Sequence, residues 1–130
     1  MPELSEETKT LAIILRHRTL VQKYLLKLAR ELETRALLHD LSKFRLDELG
    51  GFVEINRVAR EHKFGSPEYK ASIKSDAVAL HWANNSHHPE YHHDGIRDMR
   101  LLDLIEMVAD WAAASETHGQ SSFGQSLQIS

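Results

Sequence analysis

Cysteine is absent from the 130 residues of this chain. That excludes a disulfide framework and any thiolate metal site, so a bound metal must be held by His, Asp or Glu. Such ligands favour Mn, Fe, Co, Ni, Zn or Mg over a structural zinc knot. The lack of cysteine also fits a cytoplasmic protein. A basic run is missing too, and the formal net charge is −3 with histidines neutral. No extended nucleic-acid footprint is expected from that balance, although a small nucleotide needs few phosphate contacts. No apolar stretch is long enough to span a membrane. The acidic opening Met1-Pro2-Glu3-Leu4-Ser5-Glu6-Glu7 does not read as a signal peptide. Neither an internal repeat nor an alternating strand pattern is present.

What is there is an ordinary globular composition, 42% hydrophobic and 27% charged, enough for a single buried core. The unusual component is histidine. There are nine, and five of them lie between His81 and His93. The expected architecture is all-α: a single compact bundle of five to six helices over residues 1–118, followed by a Ser/Gln/Gly-rich, flexible tail at 119–130.

Ser5 with Glu6 and Glu7 reads as an N-cap with acids in the first turn, opening a helix to about Ala29. Its apolar stripe runs Ile13, Ile14, Leu20, Val21, Tyr24 and Leu28. His17 falls on that stripe, which places it toward the core. A second helix restarts at Glu33 or Thr34 and ends at His39-Asp40. Leu46 to His62 reads as helical with an interruption at Gly50-Gly51. Gly65-Ser66-Pro67-Glu68 is a clear start signal, and that helix is expected to run to about Ala83 with His81 on its buried stripe. Asn84-Asn85 ends it. Pro89 pushes His88 into an extended conformation. The last helix, from about Asp98 to His118, is apolar almost all round and is expected to be central and mostly buried. Its acids Asp103, Glu106 and Asp110 share one face, either as a solvated stripe or with Asp110 turned inward to a metal.

The doublet in Leu37-Leu38-His39-Asp40-Leu41-Ser42-Lys43 is the chemical focus. Burying an imidazole beside a carboxylate is costly unless something satisfies both. A metal ion does so, binding the neutral imidazole and the ionised carboxylate together. A hydrogen-bonded His–Asp pair at a helix end is the plainer alternative. On a regular helix the two adjacent side chains diverge by about 100°, so they share one site only where the helix ends. Leu41-Ser42-Lys43-Phe44 supplies such an end. Buried candidates of ligand type on several elements, with few basic partners, point to a shared cation.

The ordered set His … His-Asp … Asp on helices resembles the HD-domain metal-dependent phosphohydrolase superfamily. His39-Asp40-Leu41-Ser42-Lys43 is similar to the His-Asp-x-Gly-Lys form of its HD-GYP branch, with Ser42 in place of glycine. His81 and the His87-His88 pair match the extra histidines of two-metal members. Asp110, in Glu106-Met107-Val108-Ala109-Asp110-Trp111, matches the final aspartate. More narrowly, His81-Trp82-Ala83-Asn84-Asn85-Ser86-His87-His88-Pro89-Glu90-Tyr91 resembles a group of short phage and bacterial HD-like proteins without an assigned role. The resemblance spans residues 17–111. The Gly-Tyr-Pro element after the histidine pair is absent, which argues against cyclic-dinucleotide cleavage.

The resemblance implies an HD-like bundle with His17, His39, Asp40 and Asp110 on a first metal. It implies His81 and His88 on a second, with Asp40 bridging and His87 as the alternate ligand. The cofactor is then one or two divalent metal ions per chain, Mn, Fe, Co, Ni or Zn, with Mg also admissible. Asp40 and Lys43 are the expected catalytic residues, and Lys43, Asn84 and His87 the expected substrate contacts. Lys43 is placed to neutralise charge on a phosphate, or is simply a surface lysine near a helix C-terminus. Glu106, one turn before Asp110, is placed to orient a ligand histidine. The implied activity is hydrolysis of a small phosphoester, such as a nucleotide, by a metal-activated water. A di-iron oxygenase on the same scaffold and a catalytically inactive, metal-containing nucleotide-binding module are the alternatives. The expected partner is a small phosphorylated substrate, with no membrane and no extended nucleic acid.

Overall fold

The structure, a computed structural model, describes residues 2–118. Among them all regular structure is helical: α1 (Glu6–Leu38), α2 (Leu46–Glu61), α3 (Pro67–Ser72), α4 (Asp76–Asn84) and α5 (Leu101–His118), with 3₁₀ turns at Leu41–Phe44, Pro89–Tyr91 and Gly95–Asp98. The all-α reading stands. The tail expected at 119–130 lies outside the described residues. The single domain expected over residues 1–118 is divided between Leu37 and Leu38 into two units.

The first unit is essentially α1. Ser5 caps it as expected, its Oγ accepting from the Thr8 amide at 3.2 Å. The break expected near residues 30–33 does not occur. Arg30 to Thr34 contains no glycine or proline, and the Thr34 hydroxyl donates to the Arg30 carbonyl at 3.0 Å, so it does not compete with the helix. No residue of α1 is buried, which corrects the expected core-facing stripe: Ile13, Ile14, Leu20, Val21, Tyr24 and Leu28 are all exposed, and so is His17. A helix that makes up a unit by itself has no neighbour within that unit to cover its apolar side.

In the second unit α2 packs on α3, on α4 and on the Leu41–Phe44 turn, and α4 also meets the Leu41–Phe44 and Pro89–Tyr91 turns. The expected interruption of α2 is absent as well; the helix runs through both glycines. Gly51 is there for close approach. A Cβ at that position would collide with the Ala77 methyl of α4, whereas one on Gly50 meets nothing. The helix expected from Pro67 to Ala83 is instead two. Ser66 caps α3 by accepting from the Tyr69 amide, and the chain breaks at Ile73–Ser75 before Asp76 opens α4. Ser75 is extended, with φ −82° and ψ 160°, so Ser75-Asp76 is a second Ser-acid start without a proline to advertise it.

The apolar core is small: Ile55, Val78, Met99 and Met107. The largest side chains that are essentially sealed from water are His87, Glu48 and Asp103, at 1%, 0% and 2% exposure. Charged residues are seldom fully buried without a partner, so these mark where the unit is organised for something other than packing. α5 is half exposed, not mostly buried. Leu101, Ile105, Val108 and Trp111 face outward, while Asp103 and Met107 are buried and Glu106 and Asp110 are partly buried. The acidic stripe is thus the inner face. Asp103 also caps α5, its Oδ2 accepting from the Arg100 amide at 2.9 Å.

The two glycines of α2 are expected to respond oppositely to alanine. Gly50→Ala should raise stability by about 0.5–1 kcal/mol, the ordinary gain in a helix interior. Gly51→Ala should lower it by about 1–3 kcal/mol through overpacking on Ala77. Thermal melting followed by circular dichroism checks both; equal shifts of the same sign would mean that α2 and α4 do not meet closely at Gly51.

Candidate metal centre

The His-Asp doublet sits where α1 stops. Asp40 takes the left-handed conformation, φ 55° and ψ 16°, and is the one non-glycine residue with positive φ among those described. That conformation is unfavourable for an L-residue, and Asp is among the few types that adopt it. It ends the helix and swings the carboxylate back beside its neighbour, so that Asp40 Oδ2 lies 3.5 Å from His39 Nε2. The divergence of adjacent side chains on a regular helix is removed by one backbone residue. The following turn begins with the Lys43 amide donating to the Asp40 carbonyl at 3.0 Å. It brings the Lys43 ammonium to 2.7 Å from Asp40 Oδ2 and 4.8 Å from the centre of the Phe52 ring.

The other histidines arrive from the end of α4 and the loop behind it. His81 is in the last turn of α4. Asn85 ties that end down, its Nδ2 donating to the His81 carbonyl and to Ser42 Oγ, both at 2.8 Å. Asn85 is extended (φ −132°), so the helix ends through a side-chain cap and not a left-handed residue. His88 is extended before Pro89, as its position demands. The loop is fastened to α5 by Ser86 Oγ donating to Asp103 Oδ1 at 2.8 Å, and closed on itself by His92 Nε2 donating to the Ser86 carbonyl at 2.7 Å.

These elements aim ligand-type atoms at one place. Asp40 Oδ1 lies 3.2 Å from His81 Nε2 and 3.3 Å from His87 Nε2. Asp40, His81, His87 and His88 each offer an atom within 4.8 Å of the others, and so do His39, His87 and Asp110. Asp40 Oδ1 and the Nε2 atoms of His81, His87 and His88 are buried and have no hydrogen-bond partner. The opposite ring nitrogens explain why. His81 Nδ1 donates to Glu48 Oε1 at 2.7 Å and His39 Nδ1 to Glu106 Oε1 at 2.9 Å; the same Glu106 oxygen faces His87 Nδ1 at 3.1 Å. A ring that donates through Nδ1 presents a lone pair at Nε2. Lone pairs converging on a carboxylate oxygen are unfavourable unless a cation lies among them.

The charges agree. Asp40, Glu48, Glu106 and Asp110 bring four carboxylates, and Lys43 sets one ammonium against them. Burial pushes the Asp40 carboxyl up, whereas the Lys43 ammonium 2.7 Å away draws it down and favours the ionised form. Burial likewise pushes Glu48 up, and hydrogen bonds from Ser42, Asn84 and His81 bring it below its ordinary value. Burial pushes His88 down to about 4. That direction favours the unprotonated form, the one a metal requires. The donor set, imidazole nitrogen with carboxylate oxygen, suits a divalent first-row metal. His87 Nε2 has a single lone pair, so it serves one ion at a time even though it stands in both groups.

Of the residues expected to bind metal, His39, Asp40, His81, His88 and Asp110 come together. His17 belongs to neither group; it is exposed on α1 in the other unit. His87, expected as a substrate contact or alternate ligand, takes part in both groups. Asn84, expected to face substrate, instead donates its amide to buried Glu48 at 3.1 Å, because its place in the last turn of α4 directs it toward α2. Lys43 reaches the centre through Asp40. Glu48 was not legible as a site residue: an acid in the first turn of a helix reads as a dipole partner, and nothing in its neighbours marks it as internal.

Residues 6–129 match a family of unknown function (DUF5662), and the chain belongs to that family. No curated protein and no solved structure matches it.

Protein purified without chelator or affinity metal is expected to carry divalent metal by elemental analysis, and Asp40→Ala and His81→Ala are each expected to lose most of it. Stripping the wild type with a chelator should lower its melting temperature, and adding back metal at about a hundredfold above Kd should restore about 2.7 kcal/mol. Full metal occupancy in either variant would remove these residues from the centre.

Proposed function

We propose that this member of a family of unknown function is a metal-dependent phosphohydrolase acting on a small phosphoester, with a nucleotide as the favoured substrate class. The observation that carries the metal is the set of four buried, partnerless acceptor atoms on Asp40, His81, His87 and His88. The choice of phosphoester rests on the resemblance of the His39-Asp40 doublet, the later histidines and Asp110 to the HD-domain phosphohydrolases, and on the lysine beside the doublet.

Asp40, His81, His87 and His88 hold the ion, and His39 and Asp110 extend the donor set on the side of α5. Bound there, a divalent metal supplies a Lewis acid for a phosphoryl oxygen and lowers the pKa of water into the neutral range. The chain's own contribution is placement and charge. Lys43 is held between the Asp40 carboxylate and the face of the Phe52 ring, which restricts an otherwise flexible ammonium to the edge of the centre. It is partly exposed there, so a phosphate approaching from solvent meets a positive charge. Charge that grows on non-bridging oxygens during phosphoryl transfer is then met by a group already in place. Asp40 has two tasks, ligation through Oδ1 and tethering of Lys43 through Oδ2.

Metal-loaded protein should hydrolyse p-nitrophenyl phosphate or a nucleoside monophosphate, and Asp40→Ala should abolish turnover. Lys43→Met should lower kcat by about a hundredfold while metal content is kept. Steady-state assays paired with elemental analysis separate the two effects. A fully loaded protein that turns over no phosphoester would defeat the hydrolase reading and leave the metal centre standing.

A further inference from the structure

Glu48 is the most completely buried charged side chain described in this chain, at 0% exposure, and it touches none of the atoms that converge on the centre. A sealed carboxylate is an expensive way to fill space, since an apolar residue of similar volume usually serves a core at least as well. Its two oxygens are both used. Oε1 accepts from His81 Nδ1 at 2.7 Å, and Oε2 accepts from Asn84 Nδ2 at 3.1 Å. His81 Nε2, at the other end of the same ring, faces Asp40 Oδ1 at 3.2 Å. Carboxylate, imidazole and ligand position are therefore in series.

The surrounding contacts fix this series in space. Phe52, one turn beyond Glu48 on α2, meets the His81 ring edge to face, with centroids 5.4 Å apart and planes at 82°. Gly51, on the same side of α2, lets that helix close on Ala77, one turn before His81. One helix face thus sets the distance, the tilt and the protonated nitrogen of one imidazole.

We infer that Glu48 is a positioning residue of the metal centre: it holds His81 as the Nδ1–H tautomer, directs the Nε2 lone pair inward, and makes the ring a stronger donor. This rests on the metal reading of the site and is independent of the reaction performed there. A carboxylate behind a ligand histidine fixes ring orientation and increases ligand basicity, and its loss typically costs about 10–100-fold in metal affinity. A purely structural role for Glu48 predicts lost fold stability and unchanged metal affinity.

The test uses the full chain. Long-range ¹H–¹⁵N spectra of metal-free wild type, with His81 assigned by comparison with His81→Gln, report its tautomer. The expected state is a proton on Nδ1; a proton on Nε2 overturns the inference without recourse to any Glu48 variant. Mn²⁺ affinity is then measured by chelator competition on wild type and Glu48→Gln, which preserves volume and removes the charge. The expected result is a loss of about 10–100-fold in affinity, with the metal-free melting temperature little changed. Affinity within twofold of wild type overturns the positioning role. Wild type that binds no Mn²⁺, Zn²⁺ or Fe²⁺ overturns the metal reading itself and the positioning role with it, leaving Glu48 as a buried ion pair. The three failures are distinguishable.

Discussion

Asp40 Oδ1 and three imidazole nitrogens are packed into one buried place with nothing to donate to them. Four acceptors in that arrangement repel one another, and the low polarity of the surroundings strengthens the repulsion. Much of the second unit is built to impose this arrangement. Asp40 accepts an unfavourable backbone conformation, α5 turns its acids inward and leaves apolar side chains in water, and Glu48 gives up hydration entirely. Each choice weakens the unit as a simple core. Together they set this place apart from an ordinary apolar core.

The support around the centre has two parts. On one side α2 and α4 are locked at Gly51 and Ala77, and from that contact Glu48 and Phe52 control His81. On the other, α5 presents Glu106 to His39 and His87, and through Asp103 it anchors the loop that carries His87 and His88. Ser42 and Asn85 join the doublet turn to the end of α4. The clustered side chains come from segments far apart in sequence, and His39, His81 and His87 each have a carboxylate outside the cluster, Glu106 or Glu48, at Nδ1. Such bracing fixes the orientation of the rings.

Local signals in the sequence were sufficient for the all-α class, for the caps at Ser5 and Ser66, and for the end of a helix at the His-Asp doublet. Each depends on a few adjacent residues and their backbone preferences. The candidates His39, Asp40, His81, His88 and Asp110 were also legible, through residue type, the phase of His81 on its helix and the resemblance to HD-domain proteins. Three readings failed for a common reason. Arg30–Thr34 holds good helix formers and no breaker, Gly50-Gly51 is carried through α2 with Gly51 packed on Ala77, and Ile73–Ser75 breaks the chain before a second Ser-acid start, so each local signal was decided by its surroundings. His17 and the stripe around it show the limit of periodicity: an apolar face states which side of a helix wants cover, not whether anything covers it.

By itself, then, the sequence determined the all-α class, the absence of thiolate chemistry and the residue types able to bind a metal. Only the tertiary structure decided which acids face inward, which nitrogen of each imidazole is free, that His87 stands in both ligand groups, and that Asn84 and Glu48 serve His81. The physical reason is that helix formation and ligand chemistry are properties of near neighbours and single side chains. Tautomer, burial and convergence instead depend on contacts between residues such as Glu48 and His81, 33 positions apart, which exist only once α2 has closed on α4.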